Sequence, residues 1–255
     1  MSPFAYALSS YHKGNRTAQF VIRRDDGFEV EVPASVFFDD RKFPLIEEHA
    51  MGECSGRVLD VGGAAGRHSL ELLRRGMDAT TLDILPEMEC ILLDRGQNKV
   101  IIGDILSNDS GCLSEHRFDT LLMLMNGIGM VGTEENIPTL LRQAEVLLSD
   151  QGQIICDSID VSVTTDPRHV AYRENNLESG RSIGQQRFTM ECEGANPIEF
   201  SWLHIDFKIL ASVCDAHGWK AERIQDESDG HYLCRITRNR KSEQSVSPKS
   251  DRAGG

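Results

Sequence analysis

The residues best placed to do chemistry lie in VLDVGGAAGRHSL, positions 58–70. A short apolar run carries Asp60 and breaks into a glycine-rich turn, Gly62-Gly63-Ala64-Ala65-Gly66, that opens a helical pattern. Gly62 and Gly66 permit a sharp turn and a close backbone approach to a ligand, which a Cβ would obstruct. The free N–H groups of the following helix point at the same spot and suit an anion such as a carboxylate. Asp60 gives the turn its selectivity, because its carboxylate would repel a pyrophosphate and attract a ligand bearing positive charge. The dinucleotide pattern GxGxxG fits less well: counted from Gly62, its second and third glycine places hold Ala64 and Arg67. Asp83 and Asp104 close two further apolar runs, and Asn126-Gly127 ends another. Three acids at the carboxyl ends of three successive predicted strands stand where open α/β sheets bind ligands.

Regular elements must hold these residues together. From Arg57 onward, apolar runs alternate with helical periods: RVLDVG (57–62), ATTLDI (79–84), KVIIGDI (99–105), DTLLMLMNG (119–127) and QIICDSID (153–160). Continuous apolar runs suit strands buried on both faces, as in a parallel sheet covered by helices. Between them, RHSLELLRRG ends on Gly76, and PEMECILLDRG opens with Pro86 and ends on Gly96. In NIPTLLRQAEVLLSD, Ile137, Leu140, Leu141, Ala144, Leu147 and Leu148 share one apolar stripe. Residues 107–117 make a weak helix at best.

The last third breaks the alternation. Residues 161–200 are polar and irregular, with one strand-like piece, GQQRFTMECEG. Asp206 is a good N-cap for a helix stopped by Gly218, and two alternating strands follow with Asp229-Gly230 at their turn. The pattern predicts an α/β fold: a seven-stranded mixed sheet of five parallel strands plus a C-terminal antiparallel hairpin, flanked by helices. In the first 55 residues, Phe20 and Ile22, then Phe28, Val30 and Val32, alternate about Asp26-Gly27 and predict another hairpin, with a short helix in LIEEHAMG. The predicted organisation is an N-terminal hairpin and lid over 1–55, a main domain over 56–238 with a substrate-region insert at 161–200, and a disordered tail over 239–255.

Asp60-Val61-Gly62-Gly63-Ala64-Ala65-Gly66 resembles the first motif of the class I S-adenosylmethionine-dependent methyltransferases, an acid followed by glycines at alternate positions. Ala64 replaces the middle glycine, a mild departure provided its φ is not positive. The resemblance implies S-adenosyl-L-methionine as cofactor and a Rossmann-like fold. By the same resemblance Asp83 would accept both ribose hydroxyls, and Asp104 the adenine amino group. Ile105, Ile84 and Leu85 would contact adenine, and Asn126 and Gly127 would lie close to the sulfonium methyl. It covers residues 55–160 closely and 200–238 loosely, with little to say of 1–50 and 161–200.

Methyl transfer is an in-line displacement that needs no metal, but O–H, N–H and C–H acceptors need a group to take a proton. Candidates are His204, Asp157 and Tyr11, with Asp206 and His12 behind them. His68 is expected to face helix neighbours, and Met123, Met125 and Met130 to fill core. There is no N/D-P-P-Y/F at the end of the fourth strand, where the chain reads Met125-Asn126-Gly127-Ile128, no Pro-Cys nucleophile, and no basic stripe. A small metabolite, natural product or short peptide is therefore the expected acceptor, with the polar inserts roofing its pocket. The alternatives are a protein or nucleic-acid methyltransferase of the same fold, or a non-catalytic cofactor-binding scaffold. The oligomeric state is left open.

With 27 Lys+Arg against 40 Asp+Glu the net charge is −13, which disfavours contact with phosphate backbones. No apolar run approaches the ~20 residues of a membrane helix, and the first residues do not read as a signal peptide. The seven cysteines are scattered without a CxxC pair, and are expected to be reduced core residues. A cytoplasmic protein is expected from this.

Overall fold

A computed structural model describes residues 1–39, 41–107 and 117–239. The expected tail beyond Asn239 and nearly all of the expected weak helix lie outside these residues.

The chain opens with α1 (Pro3–His12), an element the sequence reading did not assign. Ser2 caps it by accepting from the Ala5 amide at 3.1 Å, Pro3 occupies its first turn, and Ala5, Ala7 and Leu8 are buried. The predicted hairpin follows as β1 (Gln19–Arg24) and β2 (Glu29–Pro33), paired antiparallel, and α2 (Leu45–Glu53) comes next.

The main unit then runs β3 (Arg57–Val61), α3 (Arg67–Arg74), β4 (Asp78–Asp83), α4 (Glu87–Asp94), β5 (Val100–Ile102), β6 (Phe118–Met123), α5 (Ile137–Leu147) and β7 (Leu148–Ile159). After α6 (Pro167–Glu178), β8 (Gln185–Glu191) and β9 (Ile198–Leu203) come α7 (Phe207–Ala216), β10 (Trp219–Asp226) and β11 (His231–Arg238). The large sheet has the order β10-β11-β7-β6-β3-β4-β5, with β3 to β7 parallel and the β10–β11 hairpin antiparallel, as the apolar runs predict.

Both faces of its central strands are buried. Leu59, Leu121 and Ile154 meet α5 and α7 on one side, while Val58, Leu122 and Ile155 meet Ile46 and Met51 of α2 and Leu72 of α3 on the other. This double burial is why these strands read as unbroken apolar runs.

The segment 161–200, expected to be irregular with one strand, instead supplies a helix and most of two strands. Asp166 caps α6 by accepting from the Arg168 amide. Strands β8 and β9 join the N-terminal hairpin in a second, four-stranded antiparallel sheet of order β2-β1-β8-β9. Ile22 pairs with Met190, and Met190 with Ile198. This sheet packs with α1 and α4 around Phe20, Met88, Ile91 and Met190.

Strand β5 is shorter than its apolar run. Gly103 donates to the Asp83 carbonyl and Asp104 already belongs to the turn beyond. The six described cysteines are unpaired: Cys156, Cys214 and Cys234 are core, whereas Cys90 is exposed, against expectation. No described helix is long and apolar enough to cross a membrane.

Candidate functional site

Strand β3 delivers Asp60 to the carboxyl edge of the large sheet, 2 % exposed, with its Oδ2 accepting from the Ser69 amide at 3.1 Å. Burial raises its pKa, and nearby His68 and Ser69 oppose that rise. The turn that follows is pinned to β4, because the Gly62 and Gly63 amides both donate to the Leu82 carbonyl. Gly63 has room for no side chain: a Cβ there would stand 2.4 Å from Thr81 Cγ2 and 2.9 Å from Asp60 Oδ2. Gly62 and Gly66 take φ of 73° and 82°, and Ala64 takes 49°. The condition under which Ala64 is a mild departure is therefore not met.

Asp83 bridges two loops. Its Oδ2 accepts from the Ala64 amide at 2.9 Å and its Oδ1 from the Leu85 amide at 2.8 Å. Burial raises its pKa, and those amides pull it back. Asp104 accepts from the Leu106 amide at 2.8 Å. At the end of β6, Met125 and Asn126 have φ of 63° and 58°, two successive left-handed residues without a glycine. Such strain concentrates at binding sites. The buried Oδ1 of Asn126 has no partner among the described residues.

These groups share a cavity of about 610 Å³ between the two sheets. Asp60, Gly62, Gly63, Ala64, Asp83, Ile84, Leu85, Asp104, Ile105, Asn126 and Gly127 all line it. Gly66 stands behind the turn instead, where a Cβ would reach 2.8 Å from Leu92.

His204, following β9, also lines the cavity. Its ring makes no hydrogen bond among the described residues. Burial, then the neighbouring His231, push its pKa down to about 4, so it is neutral near pH 7. Asp157 lies beneath the cavity wall, accepting from the Gly127 amide at 3.1 Å and facing His231 Nε2 at 2.9 Å. That bond raises the pKa of His231. Asp206 sits at the N-cap of α7 but makes no capping side-chain bond. Tyr11 packs on Phe38, ring centroids 4.7 Å apart, in an outer groove of about 890 Å³ that His12 also lines and that adjoins the cavity at Arg67 and Met125.

Several residues of the site escape the sequence reading. His68 lines the cavity and meets Glu47 at 2.9 Å, rather than facing only its own helix. Met125 and Met130 line the cavity too, whereas Met123 is core as expected. Arg67 binds Glu47 at 3.1 and 3.0 Å and reaches the carbonyls of Val36, Asp39 and Lys42, clasping the N-terminal segment to the turn. Burial works to raise the Glu47 pKa, but His68 and Arg67 together bring it below its ordinary value.

No protein-family model matches the chain, and no curated protein does. Solved structures do. An S-adenosylmethionine-dependent methyltransferase from Bacteroides fragilis, crystallised with S-adenosyl-L-homocysteine, aligns over 93% of this chain and 94% of its own, with 29% identity and a TM-score of 0.79. The CcbJ methyltransferase from Streptomyces caelestis aligns over 80% and 95%, with 14% identity and a TM-score of 0.58. The sugar N-methyltransferase KedS8 from a Streptoalloteichus species aligns over 80% and 92%, with 13% identity and a TM-score of 0.51.

Proposed function

We propose that this chain, whose fold is that of the class I S-adenosylmethionine-dependent methyltransferases, is an enzyme that methylates a small-molecule or short-peptide acceptor. The observation that carries the reading is the convergence of Asp60, Asp83 and Asp104 with a tight glycine turn in one cavity. S-adenosylmethionine fits these residues, and when bound it supplies a methyl carbon activated by the sulfonium. Asp83 is the acceptor for the ribose hydroxyls and Asp104 for the adenine amino group, with Ile84, Leu85 and Ile105 against the ring. Asp60 and the unpartnered Asn126 Oδ1 suit the positively charged end of the cofactor. The turn amides and the start of α3 suit its carboxylate.

The chain's own chemistry is then positioning and proton acceptance. His204 faces the cavity with a neutral ring that accepts the nucleophile's hydrogen bond, and it takes the proton late, once bonding to the methyl has made the nucleophile strongly acidic. Asp157 positions the Gly127 amide and His231, and acts through them. Tyr11 lines the adjoining outer groove rather than the cavity.

A small acceptor is supported by the size of the cavity between the sheets, by the net charge of −13, which disfavours nucleic acid, and by the sugar acceptor named for KedS8. The unpaired cysteines fit a reducing compartment such as the cytoplasm.

Calorimetric titration with S-adenosylmethionine, S-adenosylhomocysteine and NADH tests the reading. The first two should bind at micromolar concentration and NADH should not. Asp83→Ala should weaken binding about 10- to 100-fold, the worth of charge-assisted hydrogen bonds. A folded protein that binds neither adenosyl compound, or an Asp83→Ala variant that binds them unchanged, would sink it.

A further inference from the structure

The inner face of the small sheet is built of apolar groups, four of them aromatic, beyond what a cofactor held by the large sheet requires. Alternation along three neighbouring strands sends Phe20 and Ile22 of β1, Phe188 and Met190 of β8, and Phe200 and Trp202 of β9 to the cavity. The register sets Ile22 beside Met190 and Phe188 beside Phe200. The Phe188 and Phe200 rings lie 5.5 Å apart, and Trp202 meets Phe200 edge-on at 6.4 Å. Rings packed edge-on and tilted in this way make a stiff apolar wall of faces and edges that a flat ligand can cover at low entropic cost.

Charge is distributed unevenly around that wall. The acids lining the cavity are Asp60, Asp83 and Asp104, all from strand ends of the large sheet, and each is already bonded to a backbone amide. Among the described residues, the small sheet sends no acid into the cavity. The ionisable group at its far end is His204, which follows β9 directly. Around it, His231, Arg24 and His169 add positive potential and Asp157 opposes them. The three carboxylates stand on the large-sheet side, which the cofactor covers, so an ammonium group at the wall would meet that potential with no acid from the small sheet to balance it. A carboxylate there would exchange its hydration for the neutral imidazole of His204, because the cavity's other basic side chains, Arg67 and His68, are held by Glu47. Neither exchange is favourable in a buried apolar site.

Resting on the methyltransferase reading, we propose that the acceptor lays an uncharged, flat apolar ring against this wall and presents one neutral O–H or N–H to His204. The cavity of about 610 Å³ must also hold the cofactor, which leaves room for a ring system or a single side chain. The proton released as the bond from acceptor to methyl forms, and as the bond from sulfur to methyl breaks with its electron pair kept by sulfur, passes to the imidazole of His204.

The test uses the full chain saturated with S-adenosylhomocysteine and four probes on one ring system: 2-naphthol, 2-methylnaphthalene, 2-naphthylmethylammonium and 2-naphthoate. Binding is followed by calorimetry and by fluorescence of Trp202, with Trp202→Phe identifying its signal against the buried Trp219. 2-Naphthol should bind on the order of tenfold more tightly than either charged probe. Phe200→Ala, or the milder Phe200→Leu, should weaken it while S-adenosylhomocysteine still binds. His204→Phe should erase the preference for 2-naphthol over 2-methylnaphthalene. Equal or tighter binding of a charged probe overturns the proposal. So does a loaded protein that ignores 2-naphthol, binding that persists unchanged in both Phe200 variants, or a preference that survives in His204→Phe. Failure of S-adenosylhomocysteine to bind the wild type would instead remove the methyltransferase reading beneath it.

Discussion

Ala64 carries the sharpest conflict between residue type and backbone. It occupies the middle glycine position of the turn with φ at 49°, a region where a Cβ crowds the following carbonyl. The conformation is imposed from outside, because the Ala64 amide is held by Asp83 Oδ2 and the flanking glycines are pinned to β4 and α3. Strain of about 1 kcal/mol is thereby fixed in the loop proposed to hold the cofactor. Ala64→Gly should relieve it, less the larger entropy that glycine loses on folding, for a net gain of about 0.5 kcal/mol. Thermal unfolding should show a midpoint higher by about 1–2 °C. A lower midpoint would mean that packing of the Ala64 methyl outweighs the strain. The acid and the glycines of this turn are legible in the sequence as types and spacing. The sign of φ at Ala64 is not, since it is set by a side chain nineteen positions away.

At the scale of elements, legibility follows the range of the interactions that define each one. The central strands announce themselves because burial on both faces leaves continuous apolar runs. The small sheet does not, because Val21 of β1 finds its partner at Glu191 of β8, and alternation reveals a strand but not its neighbour. The α7 terminus shows another limit. Asp206 reads as an N-cap and stands at that position, yet its carboxyl faces Asp160 rather than a helix amide. Burial, with the Asp160 carboxyl beside it, raises the Asp206 pKa to about 6. The folded state therefore holds its proton more tightly than the unfolded chain, and stability on this account is present below pH 4 and lost as pH rises through 6. Asp206→Asn removes the repulsion and keeps a residue suited to the cap. It should stabilise the protein at pH 8 by about 1 kcal/mol, a value reduced for a half-buried pair, and should have little effect at pH 4. Denaturant titrations at the two pH values check this, and a gain equal at both would place its origin elsewhere.

One short segment ties the two sheets together beside the cavity, which gives the whole molecule a division of labour. The His204 amide donates to the Gly184 carbonyl at the start of the small sheet, while the Ile205 amide donates to Ser158 Oγ of β7 and the Ile205 carbonyl accepts from Tyr232 of β11. The large sheet thus supplies the proposed cofactor floor, and the small sheet supplies the acceptor wall and delivers His204 between them. Gly184 is the contact on which this placement turns: a Cβ there would stand 1.6 Å from the His204 carbonyl oxygen, a backbone atom that cannot rotate away. Gly184→Ala should cost about 1–3 kcal/mol of stability through overpacking. If His204 is displaced by as little as ~1 Å, methyl transfer should fall about 10- to 100-fold. Affinity for S-adenosylhomocysteine should stay within about twofold, because none of the turn, Asp83 or Asp104 contacts the altered position. Gly52→Ala is the control, since a Cβ at that helical position meets nothing within 4 Å. Calorimetry for the cofactor beside single-turnover transfer to an accepted ring substrate separates the two quantities. If both fall together in Gly184→Ala, the sheets do not divide cofactor binding from acceptor placement. If transfer alone falls, the small sheet is the part of the fold that decides what is methylated.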